Sequence, residues 1–255
     1  MSLLQALIIG ILQGLTEFLP ISSSAHLKLA KIMLGIQEGQ DVVLFDLACH
    51  LGTLMPLIFF WRQDLSLLCK DARSLRLLFL AILPLIPCYF LFKPLREIVS
   101  QKEFLGPALM MTGVILYLGD RFRLKNLSLP SYSSAFWIGT IQSAALIPGI
   151  SRSASTISCA RILGWSMPEA VRFSFLLAIP TIIGGILLEL IKRFGSQQTD
   201  SSVSFSCCFL GFGAAFLFGT LIMRRAIRVL EKGRLFPFGI YCLVLGAIVL
   251  VFFNF

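Results

Sequence analysis

Apolar residues in this chain fall in long blocks, and charged residues gather between the blocks. Blocks at about 43–61, 75–92, 104–119, 173–191, 203–222 and 235–253 each approach the ~20 residues an α-helix needs to cross bilayer hydrocarbon. This pattern predicts about six full transmembrane helices. Two further apolar stretches, 3–35 and 134–164, are interrupted by Pro20 and Pro148, each beside a serine-rich patch. Proline interrupts the helical hydrogen-bond ladder and polar side chains are costly against lipid, so both stretches are expected to be broken or re-entrant. The expected fold class is an all-α polytopic membrane protein, with 1–255 as a single membrane domain.

The two interrupted stretches echo each other. Ile21-Ser22-Ser23-Ser24-Ala25 matches Ile150-Ser151-Arg152-Ser153-Ala154, and Leu34-Gly35 and Leu163-Gly164 follow at the same distance. Phe45 and Thr53 are spaced like Phe173 and Thr181 in the spans that come next. This points to an internal repeat of approximately 1–125 and 126–255. Three full spans lie between the equivalent segments, so the second copy enters from the opposite face and the repeat is inverted. Inverted repeats with broken helices place a site near the bilayer midplane, where helix ends meet a polar ligand.

Composition agrees: 57% of residues are hydrophobic, only 14% are charged, and mean hydropathy is +0.87, which excludes an ordinary water-soluble domain. The net charge of +9 would point to nucleic acid in a soluble protein, but here the basic residues sit in short loops and read as topology signals and anionic-lipid contacts. No nucleic-acid partner is expected. Loops 62–74 and 223–234 and the turn 120–126 carry eleven Lys and Arg against five (Lys93, Arg96, Lys102, Lys192, Arg193) in the loops opposite. The first set is therefore expected in the cytoplasm, with 93–103, 193–202 and both termini outside. The N-terminal segment lacks a basic n-region and a small-residue cleavage site, so it is expected to stay in the fold. Seven cysteines without metal-ligand spacing read as packing residues.

Chemistry concentrates at the two breaks. Gln13 and Glu17 share a helix face, Pro20 ends that helix, and Ser22, Ser23 and Ser24 can open the next one, with His26 one turn beyond Ser23. A helix starting at these serines offers free N–H groups and a positive dipole end to an anion. At the second break Arg152 stands between Ser151 and Ser153 directly after Pro148-Gly149, with Ser155 and Thr156 following. A guanidinium fork among hydroxyls and N–H groups suits a phosphoryl group, whereas an arginine at a bilayer interface would merely snorkel. Asp46 and His50, four apart, read either as an ion pair within the helix or as support for the site. Glu189 with Lys192 and Arg193 reads as an interfacial salt-bridge cluster, and Arg161 and Arg172 as topology charges.

The segments QGLTEFLPISSSAH (13–26) and PGISRSAST (148–156) closely resemble the two signature motifs of the undecaprenyl-diphosphate phosphatases, also called bacitracin-resistance proteins. FDLACHLGTL (45–54) and FSFLLAIPTIIGG (173–185) resemble the stretches that follow each motif, so the likeness spans essentially the whole chain. The resemblance implies an integral enzyme of the bacterial plasma membrane that hydrolyses undecaprenyl diphosphate to the monophosphate carrier of cell-wall synthesis. It also implies an inverted-repeat bundle, a site facing the outer side, a polyprenyl diphosphate lipid as partner, and activity with Mg²⁺ or Ca²⁺. On this resemblance Glu17, His26 and Arg152 match the essential acid, histidine and arginine, and Ser22, Ser23, Ser151, Ser153 and Thr156 match the hydroxyl set. Gln13 replaces a frequent second glutamate, which weakens a two-carboxylate metal site, and Ala25 replaces a common glycine, so no positive φ is expected there.

The residues then take expected roles. Arg152 with Ser151, Ser153 and Thr156, and Ser22 and Ser24 from the first break, bind the diphosphate; Glu17, with Gln13, holds a divalent cation. Ser23 is the candidate nucleophile with His26 as its base, and attack by His26 or by a metal-bound water uses the same residues. The competing class is an isoprenyl-phosphate flippase, since inverted repeats with broken helices are also transporter architecture. Oligomeric state has no signature in the sequence.

Overall fold

A computed structural model describes residues 1–36, 40–124, 130–195 and 203–254. Among these the chain is helical throughout: α1 (Leu3–Thr16), α2 (Ser23–Met33), α3 (Gln40–Phe60), α4 (Arg62–Lys70), α5 (Ala72–Ile82), α6 (Leu85–Leu91), α7 (Lys93–Val99), α8 (Leu105–Arg121), α9 (Tyr132–Gln142), α10 (Arg152–Ile162), α11 (Met167–Gly195), α12 (Phe205–Glu231) and α13 (Phe236–Asn254). Five stretches are long and apolar enough to cross a membrane: Val42–Phe60, Ala72–Leu91, Met167–Arg193, Phe205–Glu231 and Phe236–Phe253. The sixth expected span is α8, which at 17 residues is about 25 Å long, a little under the ~30 Å of bilayer hydrocarbon. The span expected at 75–92 is two helices, because Pro84 interrupts the ladder between α5 and α6. The segments 62–74 and 93–103 were expected as plain loops and instead contain α4 and α7. Their mixed charged and apolar residues suit short helices lying beside the bundle. Lys125 and residues 196–202 of the expected loops lie outside the described residues.

Both interrupted stretches form helix–break–helix hairpins. α1 opens on a capping box in which Ser2 and Gln5 exchange hydrogen bonds, and Gln5 Nε2 also donates to the Leu34 carbonyl at 3.0 Å, closing the outer end of the first hairpin. α9 opens on the Ser131/Ser134 capping box, and Leu124 N–H donates to the Ile162 carbonyl at 2.7 Å near the outer end of the second. The second helix of each hairpin starts at a serine cap: Ser22 Oγ accepts from Ala25 N–H at 3.3 Å and Ser151 Oγ from Ala154 N–H at 3.2 Å.

Small residues let the backbones approach. A Cβ on Gly10 would stand 2.6 Å from the Gly211 carbonyl, and one on Gly14 would meet the backbone of Ala215 and Gly219, so α1 lies directly on α12. α8 and α13 cross in the same way through Gly106 against Gly246 and Gly113 against Gly239. Around the breaks the core is aromatic and aliphatic: Phe18, Leu57, Ile157, Trp165, Phe175 and Met223 are all fully buried. Phe209, Leu221 and Phe252 are strongly exposed, as residues facing lipid must be.

Candidate active site

The two breaks meet inside the bundle and are tied to each other through the backbone. Ser24 Oγ accepts from Gly149 N–H at 3.3 Å, and Ser153 Oγ donates to the Leu19 carbonyl at 3.3 Å. Thr112 on α8 donates to the Gly149 carbonyl at 3.0 Å and accepts from Ser151 N–H at 3.0 Å. Gly149 takes φ +103°, which only glycine adopts readily. The N-termini of α2 and α10, with their unpaired N–H groups, therefore converge on one place.

Glu17 sits at the centre. Its Oε2 accepts from Ser23 Oγ at 2.7 Å and from Gln13 Nε2 at 3.1 Å, and its Oε1 accepts from Arg152 at 3.2 Å. The side chains of Glu17 and Arg152 are only 10% and 18% exposed, so this pair joins the two breaks through a contact largely shielded from solvent. Arg152 also donates to the Ser174 carbonyl at 3.3 Å. The arginine is thus not snorkelling to an interface. Gln13 is fully buried and donates as well to His50 Nδ1 at 2.7 Å, which assigns His50 to support of the site. Asp46 does not pair with His50; its carboxylate takes Lys31 Nζ at 2.5 Å.

His26 is placed differently from the expectation at i, i+3. Its Nδ1 donates to the Ser22 carbonyl at 2.8 Å and its Nε2 lies 2.7 Å from the Tyr241 hydroxyl, so both ring nitrogens are engaged away from Ser23. The backbone at Ser22, just before this helix, takes φ +68°, the one non-glycine positive φ among the described residues and a conformation costing about 1–2 kcal/mol. That turn aims Ser23 at Glu17 instead. Ala25 is helical, as its lack of a glycine predicts.

Of the other hydroxyls expected to bind substrate, Ser22 and Ser151 are committed to capping, and Thr156 is buried with its Oγ1 2.7 Å from Ser174 Oγ. Ser23 is partly exposed and Ser24 exposed, so this is the side on which the site opens. Tyr241, Ser174 and Thr112 contact the site residues but carry no mark in the sequence, being ordinary members of apolar runs. Arg172 pairs with Asp64 at 2.6 Å and Lys192 with Glu189 at 2.6 Å, away from this cluster.

For a divalent cation the donor set is small. Among the described residues no three His, Cys, Asp or Glu side chains cluster as a metal site. Gln13 Oε1, however, is buried without a partner on the side chain whose Nε2 meets the Glu17 carboxylate, a free hard-oxygen donor of the kind such cations take. Glu17 and Gln13 therefore fit a cation whose remaining ligands are water and substrate oxygens, as is common for Mg²⁺.

Residues 6–248 match the family described as bacitracin resistance protein BacA. The chain belongs to this family. It is 36% identical over 256 residues to an undecaprenyl-diphosphatase of Protochlamydia amoebophila, covering 100% of both chains. It is also 38% identical over 258 residues to an undecaprenyl-diphosphatase of Carboxydothermus hydrogenoformans, covering 98% of this chain and 97% of the relative. A third relative of the same name, from Desulfosudis oleivorans, is 34% identical over 272 residues and is covered to 97% on both sides. End-to-end coverage means that both breaks and all the spans of this BacA family member fall inside the likeness.

Proposed function

We propose that this chain is an undecaprenyl-diphosphatase, a multi-pass membrane hydrolase that releases inorganic phosphate from undecaprenyl diphosphate and returns the monophosphate carrier to cell-wall synthesis. The observation that carries the chemistry is the Ser23–Glu17–Arg152 chain, a hydroxyl, a carboxylate and a guanidinium linked by hydrogen bonds between two helix N-termini. Nothing in the site calls for a separate lipid-flipping activity.

Substrate enters with its terminal phosphate at the converging N-termini, where free N–H groups and Arg152 oppose its charge. Arg152 exchanges its bond to Glu17 for bonds to phosphoryl oxygens, and this frees Glu17 Oε1. Ser23 Oγ attacks the terminal phosphorus in line, its proton passing to Glu17 at 2.7 Å, and the bridging oxygen leaves with undecaprenyl phosphate. Glu17 gives up the serine proton to solvent; water then attacks the phosphoseryl group, and Glu17 takes the water's proton and returns it to Ser23 Oγ as the serine P–O bond breaks and inorganic phosphate departs. A divalent cation held by Glu17 and Gln13 would neutralise charge on the phosphoryl oxygens. Gln13, anchored by His50, keeps the carboxylate oriented.

The two hairpins are further read as the equivalent parts of an inverted repeat, 1–125 and 126–255, within one membrane domain. Supporting this, each pairs a capped half-helix with a serine-capped second helix, and α1 lies on α12 as α9 lies on α5, where a Cβ on Gly139 would stand against the Ala81 backbone. With the basic loops in the cytoplasm, the first hairpin and the opening at Ser24 face the outer side of the plasma membrane. Release of inorganic phosphate from undecaprenyl diphosphate by the purified protein in detergent tests the function, because detergent abolishes sidedness and leaves only hydrolysis to be seen. No release under any cation condition would reject it.

A further inference from the structure

His26 is absent from the bond-making steps above, yet its ring is held at both nitrogens. The partner of Nδ1 is the Ser22 carbonyl at 2.8 Å, which can only accept, so Nδ1 carries the hydrogen. A neutral ring then has its lone pair on Nε2, and the group 2.7 Å away is the Tyr241 hydroxyl, which donates to it. The two rings lie nearly parallel, 9° apart with centroids at 5.7 Å. Tyr241 comes from the second turn of α13, 215 residues from His26, and is exposed, whereas His26 is buried. Leu105, Leu109 and Val249, packed beside Ala25 on this part of α2, are apolar.

We propose that Tyr241 is a positioning residue for the reaction: its phenolic O–H donates to Nε2 of the His26 tautomer that the Ser22 carbonyl selects and holds that ring in place, the Nδ1–H of the ring braces the left-handed Ser22 turn, and that turn presents Ser23 to Glu17. The inference rests on the phosphatase reading. Tautomer choice matters because the alternative ring, with hydrogen on Nε2, sets the Nδ1 lone pair against the lone pairs of the Ser22 carbonyl and turns an attraction into a repulsion. Ser22 has no glycine-like freedom to stay left-handed without that bond. Ser23 is the next residue, so a relaxed turn moves its hydroxyl away from the carboxylate.

Tyr241→Phe removes only the O–H and keeps the ring stacked. Purified in detergent, the variant is expected to lose five- to tenfold in kcat with KM within twofold. Treatment with diethyl pyrocarbonate, read peptide by peptide, is expected to modify His26 several-fold faster than in the parent, with His50, the only other histidine, as the internal reference. Unchanged kcat, a loss confined to KM, or an unchanged His26 modification rate each overturns the proposal. Should the variant not fold, ¹⁵N spectra of histidine in the parent protein decide: a protonated Nδ1 and an unprotonated Nε2 support it, and the reverse overturns it. Modification and spectra need no turnover, so a parent that releases no phosphate sinks the phosphatase reading while the Tyr241–His26 link is still judged on its own.

Discussion

Replacing Glu17 by glutamine keeps the shape of the side chain and removes the feature on which the scheme depends. The carboxylate receives three donors, Ser23 and Gln13 on Oε2 and Arg152 on Oε1. An amide has a single acceptor oxygen. If that oxygen stays with Arg152, the new N–H₂ faces the N–H₂ of Gln13, and Ser23 must turn its hydroxyl over. Two hydrogen bonds to a charged group are then lost at about 1.5–3 kcal/mol each, in line with the roughly 3–5 kcal/mol for breaking a buried ion pair. The chemistry suffers separately, because Ser23 loses its proton acceptor; deletion of a general base lowers rates by about 10²–10⁴-fold. The assay is phosphate release in detergent at saturating substrate, run beside the thermal unfolding midpoint and gel-filtration profile of the same preparation. Glu17→Gln is expected to stay folded with a lowered midpoint and to fall at least about a hundredfold in turnover. A monodisperse Glu17→Gln protein that keeps more than about a tenth of parental turnover would refute the assignment of Glu17 as the base for Ser23.

Arg152→Lys should insert and fold yet retain little activity, since a point charge cannot replace a fork that spans phosphoryl oxygens; near-native turnover would remove Arg152 from substrate binding. Ser23→Ala should abolish a trappable phosphoseryl enzyme and most turnover with substrate affinity nearly intact, whereas Ser22→Ala should chiefly cost about 1 kcal/mol of stability through its lost cap. Substantial turnover in Ser23→Ala would hand the attack to water. Exhaustive chelation should stop phosphate release and Mg²⁺ or Ca²⁺ should restore it, an undiminished rate after chelation excluding the cation. Cysteine introduced as Arg228→Cys, on a background lacking the seven native cysteines, should react with impermeant thiol reagents only after the cells are opened. Labelling from outside would reverse the orientation.

The spans were legible in the sequence because lipid imposes one length and one composition on any helix that crosses it. The breaks were legible because Pro20 and Pro148 stop a helix beside serines that can start another. α4 and α7 were not: their apolar positions are interleaved with Arg62, Asp64 and Lys70, or with Lys93, Arg96 and Glu97, and charge spacing of that kind also suits a loop. Within the site, Gln13, Glu17, Ser23 and Arg152 could be named in advance because each is expensive inside a membrane. Their pairing could not. Helical spacing does set Ser23 and His26 one turn apart on α2, but spacing does not choose partners: His26 Nδ1 reaches back to the Ser22 carbonyl, and Ser23 Oγ reaches across the break to Glu17. Tyr241 was invisible because a tyrosine in an apolar span looks the same whether its hydroxyl reaches a histidine or the bilayer interface.

The meeting of the hairpins at their tips ties the site to the lipid around it. α1 is 14 residues and α10 is 11, roughly 21 and 16 Å long; the Gln5–Leu34 bond closes the outer end of the first hairpin, and Leu124 ties the far end of α10 at Ile162 to the chain after α8. On the proposed topology, with the hairpins hung from opposite faces, their two lengths laid end to end come to about 37 Å, between the ~30 Å of bilayer hydrocarbon and the ~40–45 Å of the whole bilayer, with the Glu17–Arg152 contact where they join. The protein is in this sense a calliper. Lipids with longer or shorter acyl chains would pull the jaws apart or press them together, so turnover in vesicles should peak at one chain length rather than vary smoothly with fluidity.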